Sequence, residues 1–78
     1  MRSTGRVKFF ADDRGFGFIT PDDGGPDVFV HRKDLEPNCR IDGELTLLAD
    51  QRVAFDVVDT PRGPKAANVK DLVSQRAL

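Results

Sequence analysis

The residues of this chain that could do chemistry are concentrated in two short segments rich in phenylalanine. Residues 14–19 read Arg-Gly-Phe-Gly-Phe-Ile, and residues 28–31 read Val-Phe-Val-His. Aromatic rings beside basic side chains suit unpaired nucleic-acid bases, because any base can stack on a ring at about 1–3 kcal/mol while the cations hold the phosphates. The pattern therefore favours a binding surface over a catalytic centre.

Alternation of side chains along a strand predicts which face carries these rings. If the two segments form neighbouring strands, their outer face consists of Phe16, Phe18, Phe29 and His31. The opposite face is aliphatic and consists of Ile19, Val28 and Val30. Burying the rings would expose these aliphatic residues, so we expect the rings at the surface, where a contiguous aromatic patch generally marks a binding site. Gly15 and Gly17 lack a Cβ and should leave the rings unobstructed.

A third aromatic segment precedes these two. Residues 5–11 are rich in β-branched and aromatic types and predict a strand. Strict alternation places Lys8 and Phe10 on the outer face, and Phe9 either in the core or, if the strand is bulged, at the rim.

The elements that must position these residues are short strands separated by turn formers. The strands are predicted at residues 5–11, 16–20, 27–31, 51–58 and 65–73. Residues 33–35 predict one helical turn, and residues 36–50 a long loop that packs its leucines inward. In the fourth strand, Val53, Phe55 and Val57 alternate with polar residues and should be buried. The whole, residues 1–78, is expected to be one all-β domain, a five-stranded antiparallel barrel.

Charge is unevenly distributed along the 78 residues, although the net charge is only −1. Residues 1–20 carry four cations and two carboxylates, and residues 62–78 carry four cations and one carboxylate. Residues 21–61 carry ten carboxylates and four cations. If the two basic ends meet in space, a basic face can exist on a protein with almost no net charge.

Several other functions are disfavoured by composition. One cysteine, Cys39, and one histidine are too few for a structural zinc site, so no metal or cofactor is expected. The aspartates that could serve an enzyme lie beside glycine in turns, which is where aspartate is found as a turn former, and no enzymatic activity is expected. No long apolar run predicts a membrane span or a signal peptide, so we expect a cytoplasmic protein.

Four blocks of sequence, in order, resemble the cold-shock domain family. They are residues 5–10 (Gly-Arg-Val-Lys-Phe-Phe), 14–19, 27–31 (Asp-Val-Phe-Val-His) and 62–69 (Arg-Gly-Pro-Lys-Ala-Ala-Asn-Val). The motif at residues 14–19 also occurs in RNA-recognition motifs, but that domain needs two helices and has its other aromatic motif before this one. The resemblance implies a five-stranded OB-fold barrel.

The resemblance also implies a function: binding of single-stranded DNA and RNA without a cofactor, as an RNA chaperone or a modulator of transcription or translation. The implied contact residues are Lys8, Phe9, Phe10, Arg14, Phe16, Phe18, Phe29 and His31, with Arg32, Arg62 and Lys65 beside them. We expect a monomer with no small-molecule substrate. The alternative is a protein-interaction module that uses the same aromatic face.

This sequence departs from the family pattern in three places that concern binding. Phe9 stands where the family usually has tryptophan, which reduces the stacking area. Arg32 follows the histidine where the family usually has an aromatic residue, and its guanidinium is expected to stack on a base or to contact a phosphate. The linker after it is long and acidic and lacks the usual aromatic side chain.

Overall fold

The computed structural model describes residues 2–72, without the side chain of Arg2. Its strands are β1 (Arg2–Ala11), β2 (Phe16–Pro21), β3 (Val28–His31), β4 (Arg40–Ile41), β5 (Glu44–Leu45), β6 (Arg52–Thr60) and β7 (Gly63–Asp71). Short 3-10 turns span Arg32–Asp34 and Pro37–Cys39. The predicted last strand included residue 73, which lies outside the described residues.

Five of the strands close into a barrel in the order β1-β2-β3-β7-β6, which confirms the predicted five-stranded barrel. Four of its seams are antiparallel, and β3 pairs with β7 in parallel, with Phe29 opposite Lys65. The expectation of a wholly antiparallel barrel is therefore wrong at this seam. A ring with an odd number of strands cannot reverse direction at every seam, so one parallel pair is unavoidable.

The barrel interior is aliphatic apart from one ring. Phe55 is fully buried at its centre, and the predicted inward residues of β2 and β3 are all buried around it, namely Ile19, Val28 and Val30. Val57 was predicted to join them but is 43% exposed. This part of β6 projects from the core, since Val57, Val58 and Asp59 are all exposed. The register shift between Ala54 and Asp56 places its extra residue in β7 and leaves the alternation along β6 unchanged.

The linker between β3 and β6 is more ordered than the predicted loop. The helical turn after His31 is present, and β4 pairs with β5 as a two-residue hairpin. Asp42 and Gly43 form its turn with φ of 54° and 86°, a conformation typical of tight hairpins. Leu47 packs into the core as expected, whereas Leu48 is 59% exposed.

Cys39 fixes the start of this linker against β7. Its thiol is buried and donates to the carbonyl of Val69, at 3.4 Å. Burial raises the pKa of the Cys39 thiol to about 11, so the group stays protonated and behaves as a core residue. Asn38 beside it exchanges hydrogen bonds with both backbone groups of Asp71, at 3.1 and 3.2 Å, and so holds the linker against β7.

Candidate nucleic-acid interface

A bulge in β1 determines which aromatic rings reach the surface. Val7 pairs with Ile19 and Phe9 with Phe18, so Lys8 is an extra residue between two paired positions. Lys8 and Phe9 are consequently both exposed, with Phe9 43% accessible. The placement of Phe9 in the core by strict alternation is wrong, and the bulged alternative is the one that occurs.

Four phenylalanine rings form one continuous surface, which we call the aromatic face: Phe9, Phe16, Phe18 and Phe29. The ring centroids of Phe9 and Phe18 are 5.8 Å apart, those of Phe18 and Phe29 5.7 Å, and those of Phe29 and Phe16 5.7 Å. Three adjacent strands carry the rings, which are half-buried or exposed above the aliphatic core. Their edge-to-face and stacked contacts hold the rings in place before any ligand arrives.

Gly17 supports this face in a different way from the one expected. A Cβ at this position would overlap the carbonyl oxygen of Phe9 and lie 2.7 Å from the Cα of Phe10. The missing side chain therefore allows β1 and β2 to approach each other, and it does not serve to leave the rings open.

Phe10 lies apart from the aromatic face. It pairs with Gly17 across the sheet and packs, partly buried, against the core cluster. The guanidinium carbon of Arg32 lies 5.9 Å from its ring centroid. The prediction that Phe10 joins the outer face is wrong, because the extra residue at Lys8 shifts the alternation by one position and turns Phe10 inward.

Arg32 makes several hydrogen bonds within the protein, with its side chain 41% exposed. Its Nε donates to the carbonyl of Leu45 at 3.2 Å, and one terminal nitrogen donates to the carbonyl of Asp12 at 2.6 Å. The same nitrogen is 3.3 Å from the Asp12 carboxylate, which also accepts a hydrogen bond from Thr46. These contacts tie the linker to the β1–β2 turn, and contact of Arg32 with a base or a phosphate stays a prediction.

Arg62 and Lys65 line one side of the aromatic face. With Phe18, Phe29 and Pro64 they border an open groove of about 430 Å³ beside the β6–β7 turn. Lys65 reaches this position because β7 pairs with β3. The two basic ends of the chain do not pair directly, since β1 adjoins β2 and β6 and β7 adjoins β3 and β6.

Two carboxylates, Asp27 and Asp34, lie among these cations, and neither was predicted from the sequence to lie there. Asp27 accepts from the ammonium of Lys8 at 2.9 Å, and this hydrogen bond holds the pKa of the Asp27 carboxyl below its usual value. Asp34 lies 3.6 Å from Lys65. The alternation of side chains along the strand could have indicated Asp27, because it is two residues before Phe29 and therefore lies on the same face.

The remaining predicted residues lie at the Phe16 end of the face. His31 is directly opposite Phe16 in the sheet, and its Nδ1 accepts from the backbone N–H of Lys33 at 3.2 Å. In the neutral imidazole the proton is then on Nε2, where it can be donated to a phosphate. Arg14 is exposed on the turn just before Phe16.

The part of the chain that the structure describes holds no group of three or more side chains able to bind a metal ion. None of the helices in that same part is long and apolar enough to cross a bilayer.

Comparison with known proteins agrees with this architecture. A family model described as the 'Cold-shock' DNA-binding domain matches residues 3–72. The fold is also found in a solved chain of Drosophila Unr, described as CSD456, with a TM-score of 0.73 at 21% identity over 92% of this chain and 27% of that longer one.

Among curated relatives, the cold shock-like protein CspE of Escherichia coli K12 is 49% identical over 83% of this chain and 88% of its own length. CspG of the same strain is 49% identical over 91% of this chain and 96% of its own. A cold shock-like protein of Aquifex aeolicus is 46% identical over 92% and 97% respectively. With the family model covering nearly all described residues and the barrel in place, the chain belongs to the cold-shock domain family of nucleic-acid-binding domains.

Proposed function

We propose that this protein binds single-stranded DNA and RNA by stacking unpaired bases on the aromatic face, and that it acts as an RNA chaperone which in turn modulates transcription or translation. The observation that carries the proposal is the unbroken succession of four surface rings with cations beside it. Each ring offers a base a partner worth about 1–3 kcal/mol, with little dependence on base identity.

The spacing of the rings favours single strands over duplexes. Neighbouring centroids are 5.7–5.8 Å apart, whereas stacked bases of one DNA strand rise by about 3.4 Å. A strand that places one base on each ring must therefore be unstacked and extended. Duplex DNA exposes only base edges in its grooves, so its bases have no free face for these rings.

Chaperone activity follows from a comparison of energies. A base-pair step in a duplex contributes about 1.4 kcal/mol of stacking on average. A base held on a phenylalanine gains a similar amount, so the protein can hold short, weak duplexes open without ATP. A transcript kept unfolded in this way presents different sites to polymerases and ribosomes, which is the basis we propose for modulation of transcription or translation.

Phosphate contacts contribute less than stacking in this proposal. Lys8 and Lys65 already have carboxylate partners, Asp27 and Asp34. For single strands, the slope of log K against log salt is about −0.7 per phosphate neutralised. We expect a shallow slope, corresponding to about two or three phosphates.

The experiment that tests the proposal is a titration of end-labelled dT and rU oligomers. The label belongs on the nucleic acid because the protein contains neither tryptophan nor tyrosine. Replacing Phe16 and Phe29 together by alanine removes two stacking partners and should weaken binding about 30-fold or more. Leu48→Ala is the matched control, since Leu48 is an exposed apolar residue of the linker and not of the aromatic face.

The outcomes separate the alternatives. Unchanged affinity of the double variant, with intact folding by circular dichroism, would remove the stacking mechanism. Failure of the wild type to bind any single strand would contradict the proposed function and favour the protein-interaction alternative. A labelled RNA hairpin with a short stem, opened by the wild type and not by the double variant, would support chaperone activity.

A further inference from the structure

Two cations border the groove beside Phe18 and Phe29, and they differ in their carboxylate partners. The ammonium of Lys65 lies 3.6 Å from a carboxylate oxygen of Asp34. Arg62 is exposed and forms no salt bridge with any residue in the part of the chain that the structure describes. A phosphate that enters the groove therefore meets one unpaired cation and one that is already paired.

The carboxylate of Asp34 is poorly hydrated. Asp34 is the last residue of the 3-10 turn that follows β3, and its side chain is 20% exposed. Its Oδ2 is shielded from water and accepts no hydrogen bond, and among residues 2–72 it is the only buried side-chain oxygen or nitrogen without a partner. Buried carboxylate oxygens usually have hydrogen-bond donors, so this oxygen depends on the nearby charge of Lys65 for compensation.

The short distance between the two side chains places Asp34 near any phosphate that Lys65 contacts. An ammonium nitrogen and a phosphate oxygen in contact are about 2.8 Å apart. Because Lys65 is 3.6 Å from Asp34, that phosphate oxygen would lie no more than about 6.4 Å from the Asp34 carboxylate. At equal dielectric, Coulomb's law makes the repulsion at least about two-fifths of the attraction. The pair therefore attracts a phosphate less than an unpaired lysine does.

We propose that Asp34 is a determinant of affinity for nucleic acid: it offsets the charge of Lys65 and so prevents this lysine from holding a phosphate strongly. Arg62 then supplies the main phosphate contact of the groove, and Lys65 borders the bases that stack on Phe18 and Phe29. This inference rests on the proposed function and adds to it a residue that lies outside the aromatic face and lowers the affinity.

The test is a double-mutant cycle of Asp34→Asn and Lys65→Met, in which end-labelled dT6 is titrated between about 0.1 and 1 M salt. Asparagine has nearly the size and shape of aspartate but carries no charge. We expect Asp34→Asn to steepen the slope of log K against log salt by about 0.7, which corresponds to about a fivefold gain in relative affinity on going from 1 M to 0.1 M salt.

The other variants of the cycle and two controls show whether this gain comes from Lys65. Lys65→Met alone should change affinity less than about twofold, and added to Asp34→Asn it should remove the whole gain. Arg62→Met removes the unpaired cation of the groove and should make the slope shallower by about 0.7. Asp42→Asn removes one charge from the exposed β4–β5 turn, which does not border the groove, and it should leave the slope unchanged.

Four outcomes would overturn the role of Asp34. They are an unchanged slope in Asp34→Asn, an equal gain in Asp42→Asn, a gain that persists when Lys65→Met is added, and a loss of affinity in Lys65→Met as large as that in Arg62→Met. The last outcome needs no change at Asp34, so it decides the question even if Asp34→Asn does not fold. Each is compatible with single-strand binding by the wild type, whereas absence of wild-type binding would also remove the proposed function.

Discussion

Phe9 and Phe10 are adjacent in the chain and have opposite surroundings. Phe9 is exposed and lies at one end of the aromatic face, with its ring centroid 5.8 Å from that of Phe18. Phe10 packs against the core, and the guanidinium of Arg32 lies over it. Each ring has a cation near it, but of the two only Phe9 presents an exposed ring surface to a ligand. The two phenylalanines illustrate that residue type indicates which side chains are candidates for binding. Contacts within the protein then determine which of these side chains remain accessible to a ligand.

The largest expected effect is on stability and comes from Gly17, which lies against the backbone of both Phe9 and Phe10. In Gly17→Ala the new Cβ would overlap the Phe9 carbonyl and crowd the Cα of Phe10, so β1 must move away from β2. Such overpacking costs about 1–3 kcal/mol or more. The melting temperature should fall by about 4–8 °C for each kcal/mol in a domain of this size.

Gly25→Ala is the control for this prediction, because the nearest atom to a Cβ there is the movable carboxylate of Asp23. It should melt within a few degrees of the wild type. A Gly17→Ala protein as stable as the control would mean that the close approach of the two strands is unimportant.

The second prediction compares two arginines in different surroundings, Arg32 and Arg14, by their effects on stability and on binding. Arg32→Met removes the hydrogen bonds to Leu45 and Asp12, and since the site is partly exposed we expect a loss of about 1–2 kcal/mol of unfolding free energy. We expect affinity for dT to change less than about twofold, because the guanidinium already has three oxygen acceptors within the protein. Chemical denaturation and the dT titration measure the two effects.

Arg14→Met should behave in the opposite way. The side chain is exposed, so stability should stay within about 0.5 kcal/mol. The salt slope of binding should become shallower by about 0.7 if this cation holds one phosphate. A larger loss of affinity for the Arg32 variant than for the Arg14 variant would break the comparison.

The third prediction enlarges each of the two neighbouring rings. Phe9→Trp adds stacking area at an exposed position and should tighten dT binding about two- to fivefold. It also introduces a fluorophore whose quenching reports the bound base. Phe10→Trp must instead fit a larger ring between the core and Arg32, so it should lower the melting temperature and leave affinity unimproved. Tighter binding by Phe10→Trp alone would show that the wrong ring has been assigned to the surface.

The smallest expected effect concerns the stability of the fold at acidic pH. Thr4 and Arg52 lower the pKa of the Asp22 carboxyl, chiefly through the Thr4 hydrogen bond. A depressed folded-state pKa stabilises the fold above the unfolded value near 4, and this contribution is lost as pH falls through the lower folded value. Melting temperatures of wild type and Asp22→Asn should therefore converge as pH is lowered from about 5 to 3. A constant difference across that range would contradict the assignment.

The strands and the orientation of β2 and β3 were predictable, because both strands are regular and their alternation is uninterrupted from Phe16 to Ile19 and from Val28 to His31. Bulges limited the rest. An extra residue at Lys8 in β1 exchanged the positions of Phe9 and Phe10. Another extra residue lies in β7, at the register shift opposite Phe55. Neither bulge is visible in a pattern that assumes a period of two. Val57 is exposed because β6 projects from the core at residues 57–59.

The internal contacts of Arg32 were not predictable for a different reason. Its partners are 20 residues before it, at Asp12, and 13 residues after it, at Leu45. Contacts at such separations exist only once the barrel has closed. The family resemblance placed Phe9 correctly on the surface where alternation did not, and it gave no warning that Arg32 would be occupied.

The most direct test of the aromatic face is the aromatic region of the proton NMR spectrum during a titration with dT6. The protein has six phenylalanines, one histidine and no tryptophan or tyrosine, so few rings contribute. Stacked bases should shift the ring protons of Phe9, Phe16, Phe18 and Phe29, while those of Phe10 and Phe55 serve as internal controls and change little. Shifts confined to Phe10 and Phe55, or no shifts at all while dT6 binds, would contradict base stacking on this face.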